Sequence, residues 1–256
     1  MSRWKAAGLH LHVSLFIAIL AGSLVYFVWY PPPYFQVAGG STLMLLMIGV
    51  NLTIGPLLTL IVFRSGKKGL RFDLSVIGAL QIAAFGYGMH VIAEARPVFV
   101  VAEVDRFVLV SANQLDDEDL ADGSRPEFRT RSWIGPRLVG ALPPEYGEEA
   151  YDSVMSALAG KDIDLFPKYF VPYTQVTQSM VARSYPLAGL VARSTQEADA
   201  LNAFLSTHGS DLTAYRGLPM QSRGTSYTMI ISTETGLPFA ALALDPWSVE
   251  SDISRH

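Results

Sequence analysis

Residues 51–73, NLTIGPLLTLIVFRSGKKGLRFD, join the end of one long apolar run to the start of another. The loop between the two runs contains four basic residues, Arg64, Lys67, Lys68 and Arg71. Short loops rich in lysine and arginine remain on the cytoplasmic side of a membrane. The stretch therefore predicts two membrane-spanning helices joined in the cytoplasm, and it sets the orientation of the rest of the chain.

Three apolar runs are each long enough for a membrane-spanning helix, which needs about 20 residues. The predicted spans cover residues 11–30, 41–63 and 74–93, within a membrane domain over residues 1–95. No small-residue cleavage site follows the first run, so it predicts a retained anchor rather than a signal peptide.

The residues ahead of the first span support the same orientation. Arg3 and Lys5 precede that span and favour a cytoplasmic N-terminus. Three spans then place residues 96–256 on the opposite side. In a bacterium this arrangement predicts an inner-membrane protein with a cytoplasmic N-terminus and a periplasmic C-terminal domain.

The two parts of the chain differ in charge. Residues 1–95 contain six basic and two acidic residues, whereas residues 96–256 contain 13 basic and 21 acidic residues. An acidic domain lacks the basic surface that nucleic acids require, so nucleic acid is not expected as a partner. The absence of cysteine excludes disulfides and thiolate zinc sites.

The second span contains polar residues beside a proline. Asn51 and Thr53 precede Gly55 and Pro56, and the proline removes one backbone hydrogen bond and predicts a kink. The two polar side chains either satisfy backbone groups at this kink or contact another helix.

The third span contains small residues at four-residue spacing, which permit close helix approach. They serve either packing against the protein's own spans or docking of a foreign transmembrane helix, and Gln81 can serve either role. The candidate contacts for a foreign helix are Asn51, Thr53, Pro56, Ala79, Gln81, Ala83, Ala84, Gly86 and Gly88.

Residues 96–256 predict a small α+β domain, so the expected fold is a three-helix membrane bundle followed by that domain. In the first predicted helix, Tyr151, Val154, Met155 and Leu158 share one face. The predicted elements are a hairpin over 97–104 and 106–112, helices over 147–159 and 195–207, a hairpin over 226–233 and 238–244, and a frayed tail over 248–256.

The sequence predicts no catalytic, cofactor or metal site. It contains no G-x-S-x-G elbow, P-loop or H-E-x-x-H motif. The acidic run at 116–122 fails the EF-hand pattern because Leu120 falls at a ligand position, so it predicts a solvated acidic loop. A histidine zinc site needs several converging ligands, and apart from the terminal His256 only His208 lies inside the soluble domain.

Four segments together are similar to a known family. They are WYPPP at 29–33, GPLLTLIVF at 55–63, GKKGLRFDL at 66–74, and RPVFVV at 96–101 followed by VDRF at 104–107. The combination resembles the type IV pilin accessory proteins of the TfpX/TfpZ kind over residues 1 to 112.

The resemblance implies an inner-membrane protein of Gram-negative bacteria that stabilises a type IV pilin or helps it assemble. A pilin is anchored in that membrane by one apolar helix, with its globular head outside. The implied partners are thus the pilin subunit and membrane lipid. No catalytic residues come with the family.

The favoured hypothesis is therefore a non-enzymatic pilin chaperone or assembly accessory. A second hypothesis is a membrane-anchored periplasmic enzyme that uses carboxylates such as Asp105 and Asp245, which requires a cleft joining paired carboxylates of raised pKa. A periplasmic sensor is the third, and its cytoplasmic part is too short to be an output module.

Overall fold

The computed structural model describes residues 2–189, 194–222 and 225–247. Three of its helices are long and apolar enough to cross a membrane. The first, α1 (Arg3–Leu24), continues as a π-helix over Val25–Trp29. A short helix α2 (Tyr34–Val37) leads into α3 (Gly40–Val62), and α4 (Leu70–Glu94) follows the basic loop.

The helix ends follow from local sequence. Ser2 caps α1, since its side chain accepts a hydrogen bond from the backbone N–H of Lys5. Gly69 precedes α4 with a φ of 86°, a left-handed conformation that glycine adopts without strain. The helix α4 thus begins earlier than residue 74, inside the basic loop.

An eight-stranded mixed sheet follows the helices in the order β4-β3-β1-β2-β6-β7-β8, with β5 paired to β6. Its strands are β1 (Pro97–Glu103), β2 (Arg106–Ser111), β3 (Arg137–Ala141), β4 (Phe170–Pro172), β5 (Tyr185–Pro186), β6 (Tyr215–Ser222), β7 (Thr225–Ser232) and β8 (Pro238–Leu242). The remaining α-helices are α5 (Asp117–Ala121), α6 (Glu148–Leu158), α7 (Thr177–Arg183) and α8 (Thr195–His208). The predicted fold class, a membrane helix bundle followed by an α+β part, is confirmed.

Both predicted hairpins form. The strands β1 and β2 pair antiparallel, as do β7 and β8. The sheet also contains two parallel pairs, β1 with β3 and β2 with β6, which join segments distant in sequence. The predicted tail over 248–256 lies outside the described residues.

The two faces of the sheet bury different clusters. Val100 and Ala102 of β1 point to one face, and Phe99 and Val101 point to the other. The first face packs against the ends of the membrane helices, where the buried residues are Val25, Tyr30, Val37, Ala38 and Ile92. The helices and the sheet therefore share one hydrophobic core.

The two predicted helices of the soluble part differ in how they use their apolar faces. Phe204 of α8 is buried against the sheet residue Ile230. The four large apolar residues of α6, in contrast, are 47% to 78% exposed. They are Tyr151, Val154, Met155 and Leu158. Their spacing correctly predicts a helix, but the apolar face of that helix is not buried.

Candidate functional site

A single amide joins the three membrane-length helices. The side-chain nitrogen Nε2 of Gln81 in α4 lies 3.1 Å from Ser14 Oγ in α1. It also lies 2.8 Å from Asn51 Oδ1 and 3.0 Å from the Asn51 carbonyl oxygen, both in α3. Hydrogen bonds between helices stabilise membrane bundles because lipid offers no alternative partner. Gln81 and Asn51 therefore hold the bundle together at mid-helix.

Gly55 provides the space for this junction. A Cβ atom placed on Gly55 would lie 1.8 Å from Gln81 Oε1, so any side chain there would displace the amide. The helix α3 continues unbroken through the neighbouring Pro56, and both residues are buried. Gln81 Oε1 is itself buried, and it has no hydrogen-bond partner among the described residues.

A second polar contact connects α1 and α3 nearer the basic loop. The ring nitrogen Nδ1 of His10 lies 2.6 Å from Thr59 Oγ1, and Thr59 is buried. In the sequence His10 lies one residue before the predicted first span. Its helix-to-helix contact depends on the register of α1 against α3, which no local pattern reveals.

An apolar groove of about 670 Å³ runs between α3 and α4. Leu46, Val50 and Leu58 of α3 line one wall, and Leu80 and Val91 of α4 line the other. Four of the predicted contact residues also line it, namely Asn51, Gln81, Ala84 and Gly88.

Gln81 also borders a smaller groove of about 240 Å³ between α1 and α4, together with Ser14 and Phe85. The polar junction thus lies between two grooves on the surface of the helix bundle. Of these two, the α3–α4 groove is the larger.

The other predicted contact residues lie elsewhere. Thr53, Ala79, Ala83 and Gly86 are exposed on the bundle surface, and Pro56 is buried inside it. None of these five described residues lines either groove. The exposed small residues of α4 are not used for packing among the three helices.

A further close contact between α1 and α3 is formed by small residues of α1. Ala18, Ala21 and Gly22 are buried there, and a Cβ on Gly22 would lie 3.3 Å from Met44 Cε of α3. Ala18 and Gly22 have the same four-residue spacing as the small residues of the third span. That spacing was therefore an available signal for this contact.

Arg96 attaches the sheet to the membrane helices. The side chain is 3% exposed, and its Nε donates to the Ser132 carbonyl at 2.9 Å. Its Nη1 donates to the Ala93 carbonyl at the end of α4 at 2.5 Å, and its guanidinium lies 3.7 Å from the Trp133 ring centroid. The same loop is tied to α1 by the backbone N–H of Gly135, which donates to the Val28 carbonyl at 2.7 Å. One buried cation thus joins β1, α4 and the loop before β3.

The soluble part brings together carboxylates that the sequence did not pair. Glu103 and Asp164 are both buried, with Asp162 beside them. Burial, followed by the Asp164 and Asp162 carboxylates, raises the pKa of Glu103 to about 8. Burial and the Asp162 carboxylate raise the pKa of Asp164 to about 6.

The enzyme hypothesis named different carboxylates. Asp105 lies 3.0 Å from Arg106 Nε, and Asp245 accepts a hydrogen bond from the backbone N–H of Trp247. Among the described residues, neither Glu103 nor Asp164 lines the α3–α4 groove or the α1–α4 groove. The two carboxyls of raised pKa are thus Glu103 and Asp164, both buried.

The buried pair predicts a pH-dependent stability in metal-free buffer. Because the folded protein holds protons that the unfolded chain releases, the melting temperature is expected to fall as pH rises from about 4 to about 8. Glu103→Gln keeps a neutral side chain and is expected to remove most of this fall. Glu118→Gln on the exposed α5 is the control and should keep the full fall. A flat profile for the unaltered protein would contradict the expectation, and thermal melts at stepped pH measure it.

Comparisons with known proteins give a consistent result. The family profile described as fimbrial assembly protein FimB matches residues 1–39. The fimbrial assembly protein of Dichelobacter nodosus serogroup I is 34% identical over 231 residues, which cover 89% of each chain. The serogroup E1 protein is 34% identical over 186 residues and 72% of each chain. The protein of serogroups C1 and C2 is 41% identical over 113 residues, or 43% of this chain and 86% of the relative. No solved structure matches the chain.

Proposed function

The chain belongs to the fimbrial assembly protein family, and we propose that it is a non-enzymatic accessory protein that binds a type IV pilin in the inner membrane. It stabilises the pilin or assists its assembly into the fimbria. The binding site is the groove between α3 and α4, and the ligand is the single apolar helix of the pilin.

The α3–α4 groove is the observation that carries this proposal. It is membrane-deep, because its lining extends from Leu43 and Ile92 near the sheet to Leu58 and Ile77 nearer the basic loop. Membrane helices associate through close packing and a few polar contacts, since lipid is as apolar as a leucine side chain. An apolar groove between two such helices therefore suits a transmembrane helix of another protein better than a soluble ligand.

The residues of the α4 wall suit helix docking in detail. Ala84 and Gly88 are four residues apart and line the groove, so the backbone of an incoming helix can approach α4 closely. Asn51 and Gln81 add polar groups at mid-depth. The proposal thus retains four of the nine predicted contact residues as direct contacts.

In the orientation that we propose, the two parts of the pilin would contact two parts of this protein. The basic loop at 64–71 is cytoplasmic, and the α+β part is periplasmic. Because one face of the sheet packs directly on the helix ends, that part of the protein lies close to where the pilin helix would leave the membrane. The pilin head is therefore within reach of the acidic α+β part.

A substitution that fills the α3–α4 groove tests whether it is the pilin-binding site. Ala84→Leu is expected to reduce the amount of pilin that copurifies from detergent extracts about fivefold, because the added side chain occupies the helix position. Ala83→Leu is the matched control, since Ala83 is equally small and exposed but does not line the groove. The pilin is co-expressed and quantified by immunoblot.

Two outcomes would contradict this assignment. Undiminished pilin in the Ala84→Leu extract would exclude the groove as the binding site. Equal losses in both variants would indicate a general effect of a bulky residue on α4.

A further inference from the structure

The carboxylate cluster of the soluble part is built from two segments that are distant in sequence. Glu103 is the last residue of β1, and Asp162 and Asp164 lie between α6 and β4. One carboxylate oxygen from each residue lies within 4.8 Å of the other two. Glu103 is 5% exposed and Asp164 is 7% exposed, whereas Asp162 faces solvent.

One buried oxygen of this cluster lacks a partner. Glu103 Oε2 is buried and accepts no hydrogen bond from the described residues. The nearest cationic group recorded is Arg106, whose Nε lies 3.9 Å from Glu103 Oε1 but only 3.0 Å from Asp105 Oδ1. A buried carboxylate without a hydrogen bond or close counter-charge is strongly disfavoured. A cation bound among the three carboxylates would supply the counter-charge that Arg106 does not provide.

We propose that Glu103, Asp162 and Asp164 bind a calcium ion. Carboxylate oxygens are the donors that hard divalent cations prefer. Oxygens that share one Ca²⁺ lie about 2.3–2.6 Å from it, so they are at most roughly 5 Å apart, and the three oxygens satisfy this limit. The cluster offers no nitrogen or sulfur donor, which disfavours zinc and copper.

The fold explains why calcium suits the site better than magnesium. Magnesium keeps most of its water and demands a regular octahedron, whereas calcium accepts irregular sets of protein oxygens. Two of the three carboxylates here are buried, which leaves water access mainly on the side of Asp162. The bound ion fixes the segment before β4 to the end of β1 and so stabilises the soluble part.

The test uses the full-length protein in detergent at pH 7.5 after removal of metal by a chelator. Calcium chloride is titrated while binding is followed by calorimetry and thermal melting. The expected result is one bound ion per chain and a melting temperature raised by several degrees. Glu103→Gln and Asp162→Asn are each expected to weaken calcium binding about tenfold or more. Asp162 is exposed, so its variant is expected to fold normally even if the buried change does not.

Glu118→Gln on α5 is the control, because Glu118 is acidic and exposed but lies outside the cluster. It should bind calcium as the unaltered protein does. The proposal is overturned if no binding is detected up to about 10 mM calcium, well above the range of weak extracellular sites. It is equally overturned if both cluster variants bind unchanged, or if magnesium binds and calcium does not.

Discussion

Arg96→Ala is expected to lower the free energy of unfolding by about 3–5 kcal/mol, since hydrogen bonds to a charged group contribute roughly 1.5–3 kcal/mol each. The variant loses the bonds from the guanidinium to the Ser132 and Ala93 carbonyls at 2.9 and 2.5 Å. It also loses the contact with the Trp133 ring, a kind of contact worth about 0.5–2 kcal/mol. The loop before β3 then loses its main attachment to α4.

Denaturant or thermal unfolding in detergent, followed by tryptophan fluorescence, measures this effect. Arg125→Ala is the matched control, because Arg125 is half-exposed and its contact with Glu127 is 3.8 Å long. Exposed ion pairs contribute little, so this variant is expected to change stability by less than about 0.5 kcal/mol. Similar losses for both arginines would show that the buried contacts of Arg96 are not the cause.

Gly55→Ala is expected to displace the Gln81 amide and to loosen α4 from α3. The new methyl group would lie 1.8 Å from Gln81 Oε1, so the side chain must rotate away from Asn51 and Ser14. The lost interhelical bonds correspond to roughly 1–3 kcal/mol in a membrane bundle. The α3–α4 groove should change shape as a result, and pilin binding should weaken with it.

A disulfide between α3 and α4 can report this change, because the natural chain contains no cysteine. A Cβ on Gly88 would lie 3.4 Å from Met47 Cγ, so Met47→Cys with Gly88→Cys places two thiols at the contact. Adding Gly55→Ala is expected to reduce the yield of this disulfide severalfold. Gly49→Ala in the same helix meets no atom within 4 Å and should leave the yield unchanged. An undiminished yield in the Gly55→Ala background would contradict the role of Gly55.

Local sequence was sufficient for elements whose formation depends on their own residues. The apolar runs predict three long helices because a membrane helix satisfies its own backbone hydrogen bonds. The β-branched residues of 97–104 and 106–112 predict a hairpin for a similar reason, since its two strands are adjacent in the chain. The hydrogen bond that the backbone N–H of Glu197 donates to Ser194 Oγ is likewise local, at the start of α8.

Features that depend on distant residues were not accessible in this way. Glu103 ends a strand beside a turn, a place where acidic residues are usually solvated, and only the return of Asp164 buries it. Arg96 gives no local sign that it will meet Trp133. The amphipathic pattern of α6 shows that one face is apolar, but whether that face is covered depends on the rest of the fold or on a partner.

The candidate groove was predicted in part. Asn51 and Gln81 were identified because amides are rare in apolar spans, and Ala84 and Gly88 because of their spacing. Which face of α4 turns toward α3 is set by packing of the whole bundle. Ala79 and Ala83 have the same spacing as Ala84 and Gly88 but lie outside the groove, so spacing alone could not separate the two pairs.

The most direct test of pilin binding in the α3–α4 groove is photocrosslinking in native membranes. A photoreactive amino acid replaces Leu80, which lines the groove, or Phe16 of α1, which does not, and both native side chains are 63% exposed. The account predicts a crosslink to the transmembrane helix of the pilin from position 80 and little or none from position 16. Equal crosslinking from both positions, or crosslinking from position 16 alone, would contradict it.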